Sequence, residues 1–273
     1  MTTSPGVPGP QVPPGIDSSV SHSARIWNYW LGGKDFYPVD KQVGDQILAF
    51  VPELVRSARA DRYFLARAVR FLAAQGIRQF LDVGTGLPTV DNTHEVAQRA
   101  APESRIVYVD NDPLVLVHAR ALLTSTTEGR CDYIDADVLD PQSILAQAAR
   151  TLDFSQPVAI IMLGVLNFVI DASDALRVVR QLTEATVPGS YLVISHPTTE
   201  VDAAPMTEAV RFWNEQGSAQ MTLRTREDLA RFFDGMQLLE PGIVTCSRWR
   251  PEVMEISDIV DVTHFGGVAR KTA

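Results

Sequence analysis

Residues Asp82 to Val96 read DVGTGLPTVDNTHEV, a Gly-x-Gly loop with an acid two residues before its first glycine and Leu87-Pro88 where a third glycine would stand. Gly84 and Gly86, with Thr85 between them, give the backbone freedom to turn closely under a ligand. In a dinucleotide site the two negative charges of a pyrophosphate rest on a helix N-terminus directly behind such a loop, and a carboxylate at Asp82 would repel them. The same carboxylate attracts a ligand presenting an ammonium and a sulfonium. The third glycine, which in dinucleotide enzymes lets helix and strand pack closely, is missing, and the next capped helix start is delayed to about Asn92. No helix aimed at phosphate stands at the loop.

Other residues of the same chemical kind follow at regular intervals. Asp110, followed by Asn111 in VYVDND, is placed to accept hydrogen bonds from both hydroxyls of a ribose, a task common to dinucleotide and sulfonium nucleosides. Asp137-Val138 in ADVLDP is an acid-apolar pair suited to an adenine amine and ring face, or else a solvated turn acid. Leu163 to Asn167 stand at the end of a long apolar run, with Leu163 and Gly164 the cofactor candidates there, and Ser195 and His196 at the end of another. His196 reads either as a general base near a reacting group or as a hydrogen-bonded turn residue beside Pro197. No His/Cys/Asp/Glu spacing resembles a metal site.

These residues need elements to hold them. RQFLDVG, RIVYVDND, CDYIDADV, PVAIIMLGV and SYLVISH read as five strands separated by helical periods, and this alternation predicts an α/β fold with a doubly wound parallel sheet. Ligands of such sheets bind at the carboxyl ends of the strands, where all of the candidates above fall. Asn92 with Glu95 forms a capping box, and Asp112-Pro113 suits an N-cap followed by N1. DRYFLARAVRFLAAQG predicts a helix with Leu65, Ala68, Val69 and Leu72 on one stripe and Gly76 past its end. LLEPGIVTCSRWRP and HFGGVARK are strand-like and able to pair antiparallel at a sheet edge.

With 273 residues, 45% of them hydrophobic and 21% charged, the chain suits one globular α/β core with appended helices. The net charge of -9 and the lack of a Lys/Arg cluster disfavour a nucleic-acid partner. The longest apolar run, Pro157 to Ile170, is about 14 residues against the roughly 20 needed to span a bilayer, so no membrane partner is expected. Two isolated cysteines, Cys131 and Cys246, and no signal peptide read as a reduced, cytoplasmic chain. The reading divides the chain into a Pro/Gly-rich tail at 1–16, an N-terminal helical extension or lid at 17–76, and a core at 77–273 with an insertion at 197–224.

ARIWNYWLGGKDFYPVD, FLDVGTGLPTVDNTHEVAQ, VYVDNDPLVLVHARALL, ADVLDP and HFGGVARK together resemble the S-adenosylmethionine-dependent methyltransferase family once catalogued as a domain of unknown function. The resemblance runs from about Val20 to Lys271. It implies a seven-stranded, mostly parallel, Rossmann-like sheet whose final antiparallel strand is HFGGVARK. It also implies S-adenosylmethionine contacts at Asp82, Gly84, Gly86, Asp110, Asn111, Asp137 and Val138, to which strand-end position adds Thr85, Leu163 and Gly164.

Methyl transfer is an in-line displacement at an already activated carbon, so the protein chiefly aligns the nucleophile and excludes water. The expected acceptor is a small molecule lying between the aromatic N-terminal segment and the 197–224 insertion. Tyr29 or Trp30 is a candidate to offer a ring face or hydroxyl to the sulfonium side, though the Trp27, Tyr29 and Trp30 cluster reads equally as packing. Phe212 and Trp213 either line an acceptor pocket or cover the core. Two other functions compete: a non-catalytic binder of the same nucleoside, and a nicotinamide-dependent reductase, which Asp82 disfavours.

Overall fold

The computed structural model describes residues 17–122, 124–216, 219–252 and 259–273. The Pro/Gly-rich tail at 1–16 lies outside the described residues. The chain opens with α1 (Ser23–Trp30), α2 (Pro38–Phe50) and α3 (Leu54–Ala74). Then alternate β1 (Gln79–Val83), α4 (Thr93–Ala100), β2 (Arg105–Asp110), α5 (Pro113–Leu122), β3 (Arg130–Asp135), α6 (Pro141–Ala148), β4 (Ala159–Leu163), α7 (Ala172–Glu184) and β5 (Tyr191–Pro197). After β5 come α8 (Ala203–Gln216), α9 (Arg226–Ala230), β6 (Gln237–Leu238), β7 (Val244–Thr245) and β8 (His264–Arg270).

The sheet runs β3-β2-β1-β4-β5-β8-β6, with β1 to β5 parallel and β8 antiparallel to β5. β6 and β7 both pair with β8 on the edge away from β5, at Arg270 and Ala269 and at Gly266 and Phe265. They are two pieces of one interrupted edge strand, so the eight strands occupy seven positions. This is the doubly wound, mostly parallel sheet expected, closed by HFGGVARK. Strand order reverses between β1 and β4, and such a switch point leaves a crevice at the strands' carboxyl ends.

Alternate residues feed two apolar layers, as strand geometry requires. Leu81, Val83, Val107 and Ile160 pack with Ile144, Val178 and Leu182 of α6 and α7, while Phe80, Ile106, Ile161 and Val193 pack with Phe64, Leu65 and Leu72 of α3. The helix expected from Asp61 onward begins two turns earlier, at Leu54, and ends before Gly76 at φ 90°, a conformation that suits glycine. α6, which the sequence reading passes over, is a single capped stretch starting from Asp140 with only Pro141, Ile144 and Ala148 buried.

A third cluster lies apart from the sheet. Ile26 and Trp30 of α1, Val43 and Ile47 of α2, the start of α3 and Met206, Ala209 and Trp213 of α8 pack together. Fully buried Asp40 ties the first two helices, its oxygens accepting the His22 and Tyr37 amides at 2.8 Å each. The N-terminal extension thus divides: α3 covers the sheet, and α1 and α2 join the post-β5 insertion as a cap.

Candidate active site

Between the strand ends and this cap lies a cavity of about 370 Å3. All ten of the expected cofactor residues, Asp82, Gly84, Thr85, Gly86, Asp110, Asn111, Asp137, Val138, Leu163 and Gly164, are on its wall. β1 places Asp82 at its carboxyl end, 5% exposed, where the Thr93 hydroxyl donates to Oδ2 at 2.6 Å. Burial pushes the Asp82 carboxyl up to about 6, aided by the nearby Asp110 charge and opposed by Thr93 and Arg62. A buried carboxylate held in this way gains by receiving a cation.

The turn after β1 is anchored by the Gly84 and Thr85 amides donating to Val109 O at 2.8 and 3.2 Å. Gly84 has φ 75°, and a Cβ there would stand 2.5 Å from Val165 Cβ. Only glycine fits. At the end of β2, Asp110 Oδ2 accepts the Gly86 amide at 2.8 Å, and Oδ1 accepts the Asn111 and Asp112 amides at 2.9 and 3.0 Å. Oδ1 is filled, and one lone pair of Oδ2 is left for a ribose hydroxyl. Burial raises this carboxyl as well. Asp137 Oδ1 accepts the Leu139 amide at 2.8 Å and shapes its own turn.

Two charged residues that the sequence reading passed over line the same wall. Arg62 of α3 has a buried Nε without a hydrogen-bond partner, and one weak contact from Nη2 to Asp91 O at 3.4 Å. Beside it Asp61, 3% exposed, is pushed up to about 6 by burial, with Ser195, Arg62 and Cys246 acting against that. The signal was present: Asp61 falls on the stripe Leu54, Ala58, Leu65, Ala68 and Leu72, where a charge is out of place on a core-facing row. Starting the helix at Asp61 left Leu54 and Ala58 out of the row and so hid the stripe on which the acid falls.

Two other sequence candidates stand off the wall. His196 is fully buried, its Nδ1 donating to Pro197 O at 2.8 Å and its Nε2 accepting from Arg224 Nη1 at 2.7 Å. Burial, with the Arg224 charge acting the same way, lowers it to about 3, so the ring is neutral with both nitrogens engaged. Tyr29 donates to Asp45 Oδ1 at 2.5 Å on the exposed side of α1 and packs edgewise on Phe36. Its neighbours Trp27 and Trp30, together with Phe168, Trp213 and His264, do line the cavity. Phe212 packs against Phe50 instead.

A doubly wound sheet with an antiparallel penultimate strand, a glycine turn and an acid at each of its first three strand ends defines a nucleoside-cofactor methyltransferase architecture. The sequence pattern of the family described as S-adenosyl methyltransferase matches residues 10–272, and the chain belongs to that family. It is 46% identical to a duf574 family protein from Streptomyces avermitilis, over 93% of this chain and 99% of that one, with a TM-score of 0.90. A Thermobifida fusca protein described as a candidate methyltransferase is 39% identical over 97% of this chain and 100% of its own, with a TM-score of 0.88. No curated protein matches the chain.

The protein is therefore an S-adenosylmethionine-dependent methyltransferase, and the reductase and non-catalytic alternatives find no support in its family. The residues present fit that cofactor: buried acids would meet its cationic groups, and a guanidinium with an unpartnered Nε would be at hand for its carboxylate. Among the described residues no cluster of His, Cys, Asp or Glu is arranged to hold a metal, and no helix is long and apolar enough to cross a membrane.

Proposed function

We propose that the enzyme methylates a small-molecule acceptor held under the α1-α2-α8 cap, and that the strand-end wall carries S-adenosylmethionine in an extended order. Asp137 and Val138 take the adenine, Asp110 and Asn111 the ribose, and the loops at Gly84 to Gly86 and Leu163 to Gly164 the bridge between them. Asp82 takes the ammonium and Arg62 the carboxylate of the amino-acid end. The observation that carries this order is the buried, unpartnered Arg62 Nε on the cavity wall, with its charge bearing on Asp82. A guanidinium and a carboxylate side by side complement a zwitterion.

The acceptor half is bounded by Trp27, Trp30, Phe168, Met206 and Trp213, an aromatic and apolar enclosure suited to a small molecule. The net charge of -9 supports the same choice over nucleic acid. In this reading neither His196 nor Tyr29 touches the acceptor; His196 supports the turn that carries Phe168, and Tyr29 ties α1 to α2. Calorimetry with S-adenosylmethionine, S-adenosylhomocysteine and NADH tests the site. Binding of the first two, and its loss in Arg62→Ala, is expected; binding of NADH alone would reject the reading.

A further inference from the structure

The acceptor half of the cavity contains more unfilled hydrogen-bond acceptors than its apolar walls suggest. Asp61 lies on the wall, nine-tenths buried; the weak Cys246 Sγ donor stands 3.7 Å from Oδ1, and the buried Ser195 hydroxyl, which has no other partner, also bears on the carboxyl. Asn167, in the turn that follows β4, is 3% exposed and also on the wall, and its amide oxygen has no partner. A buried acceptor left unmatched is costly, so Asn167 calls for a donor from something that enters the cavity, and Asp61, with only a thiol and a hydroxyl beside its two oxygens, has lone pairs left for another.

Strand order places these groups beyond the cofactor. Asp137, Asp110 and Asp82 follow one another along β3, β2 and β1, and β4 and β5 come next across the switch point. Asp61 neighbours Ser195 of β5 and Cys246 after β7, whereas Arg62 acts on Asp82 of β1. Arg62 also acts on Asp61, so in the cofactor order proposed above consecutive residues of α3 stand between the amino-acid end and the acceptor half. Asn167 follows β4 and faces the same space.

We propose that the acceptor is a ring-bearing apolar molecule whose methylated atom is an amine or hydroxyl, and that Asp61 receives its hydrogen bond and then its proton. This rests on the cofactor order proposed above. The heteroatom's lone pair forms the bond to the methyl carbon as the carbon-sulfur bond breaks, and that bonding pair stays on sulfur as the neutral thioether. A hydroxyl passes its proton to the Asp61 carboxylate as the new bond forms, whereas an amine entering as ammonium passes one to Asp61 first and so frees the lone pair; in both cases the proton leaves to solvent when the product departs. A carboxyl displaced toward neutrality by burial is well matched to that role. Asn167 accepts a second hydrogen bond and orients the ring. A carboxylate acceptor is excluded, because it would place like charges together in a buried space.

The test uses the full chain saturated with S-adenosylhomocysteine, titrated by ligand-observed NMR with four single-ring probes: phenethylamine, 4-ethylphenol, 4-ethylanisole and phenylacetate. At pH 8 the amine and the phenol are expected to bind about tenfold more tightly than the ether and the acid, and Asp61→Asn to reduce that advantage to within about twofold. S-adenosylhomocysteine affinity should stay within about threefold in the variant, because its contacts are elsewhere. Phenylacetate binding as well as the amine, or a preference unchanged in Asp61→Asn, would overturn the proposal. Failure of S-adenosylhomocysteine to bind the unmodified protein would instead overturn the cofactor order.

Should the variant fail to fold, the unmodified protein at pH 5 answers the same question. The charged and titratable groups acting on Asp61 are Arg62 and Cys246, and Asp82, Asp110, His22 and His264 share the cavity wall. Burial holds Cys246 well above and His264, at about 4, below this range, and bound cofactor keeps Asp82 ionised. The amine's advantage is expected to fall by about tenfold from pH 8 to pH 5 as Asp61 protonates, and a constant advantage would overturn the assignment.

Discussion

Thr93, the first residue of α4, donates its hydroxyl to Asp82 Oδ2 across 2.6 Å. The delay of this helix behind the glycine turn therefore has a physical use: its first turn brings a hydroxyl, rather than a row of free amides, to the strand-end acid. The Asn92–Glu95 capping box closes that helix end on itself, with the Asn92 amide donating to Glu95 at 2.8 Å. Because Asp82 sits at about 6, S-adenosylmethionine affinity should fall about tenfold between pH 7 and pH 5, as its ammonium requires the ionised acid. Thr93→Val removes a hydrogen bond that favours the ionised form, so the fall should begin at higher pH. Calorimetry across pH 5 to 8 on both proteins checks the direction, and identical profiles would refute the role of Thr93.

Arg62 yields a prediction that separates the two ends of the cofactor. Arg62→Ala should weaken S-adenosylmethionine and S-adenosylhomocysteine by about tenfold to a hundredfold, the worth of a charge-assisted hydrogen bond in a buried place. Methylthioadenosine, which lacks the amino-acid end, should bind the variant within about twofold of the original. Equal losses for all three ligands would mean that Arg62 only holds α3 in position.

The glycines of the turn differ in a way that thermal unfolding can read. Gly84→Ala meets both a positive φ of 75° and the Val165 side chain at 2.5 Å, whereas Gly86→Ala meets a φ of 65° and nothing within 4 Å. The first should cost about 3 kcal/mol and the second about 1 kcal/mol. Comparable midpoints for the two variants would contradict the packing of Val165 on Gly84.

How much of this was legible before the structure follows from the kind of signal each residue leaves. The strands were readable because both faces of β1, β4 and β5 are buried, giving short apolar runs, and the acids Asp82, Asp110 and Asp137 stand at or just past the ends of β1, β2 and β3. Period and position were enough to bring all ten strand-end candidates to one wall. Asp61, Arg62 and the orientation of Asn167 left weaker traces. The first two depend on where α3 starts, which is set by Leu54 and Ala58 packing in the cap rather than by a local N-cap. Asn167 depends on a short turn whose orientation Arg224, 57 positions on, fixes from another segment, donating to Leu166 O and Val169 O at 2.7 Å. The tryptophans were ambiguous for a related reason: one helix, α1, turns Trp27 and Trp30 to the cavity and Tyr29 toward α2, and periodicity alone does not say which face has which partner.

His196 offers a last test, on stability rather than binding. Its folded value of about 3 lies below the ordinary 6.5, so the unfolded chain takes up a proton that the folded chain refuses. Stability from this group is present above pH 6.5 and is lost as pH falls toward 3, at about 1.4 kcal/mol per pH unit. Asp61 and Asp82 work in the opposite sense: their folded values near 6 lie above 3.8, so their contribution grows as pH falls through that window. The unliganded protein therefore combines opposing slopes, and the His196 share is isolated by comparison with His196→Gln, whose amide oxygen can still accept from Arg224. Urea unfolding between pH 7.5 and 5 should show the variant gaining on the original by about 1.4 kcal/mol for each unit below 6.5, with cofactor affinity unchanged because the ring is off the cavity wall. Parallel stability profiles would mean that His196 is protonated in the folded state, in conflict with an arginine donating to its Nε2.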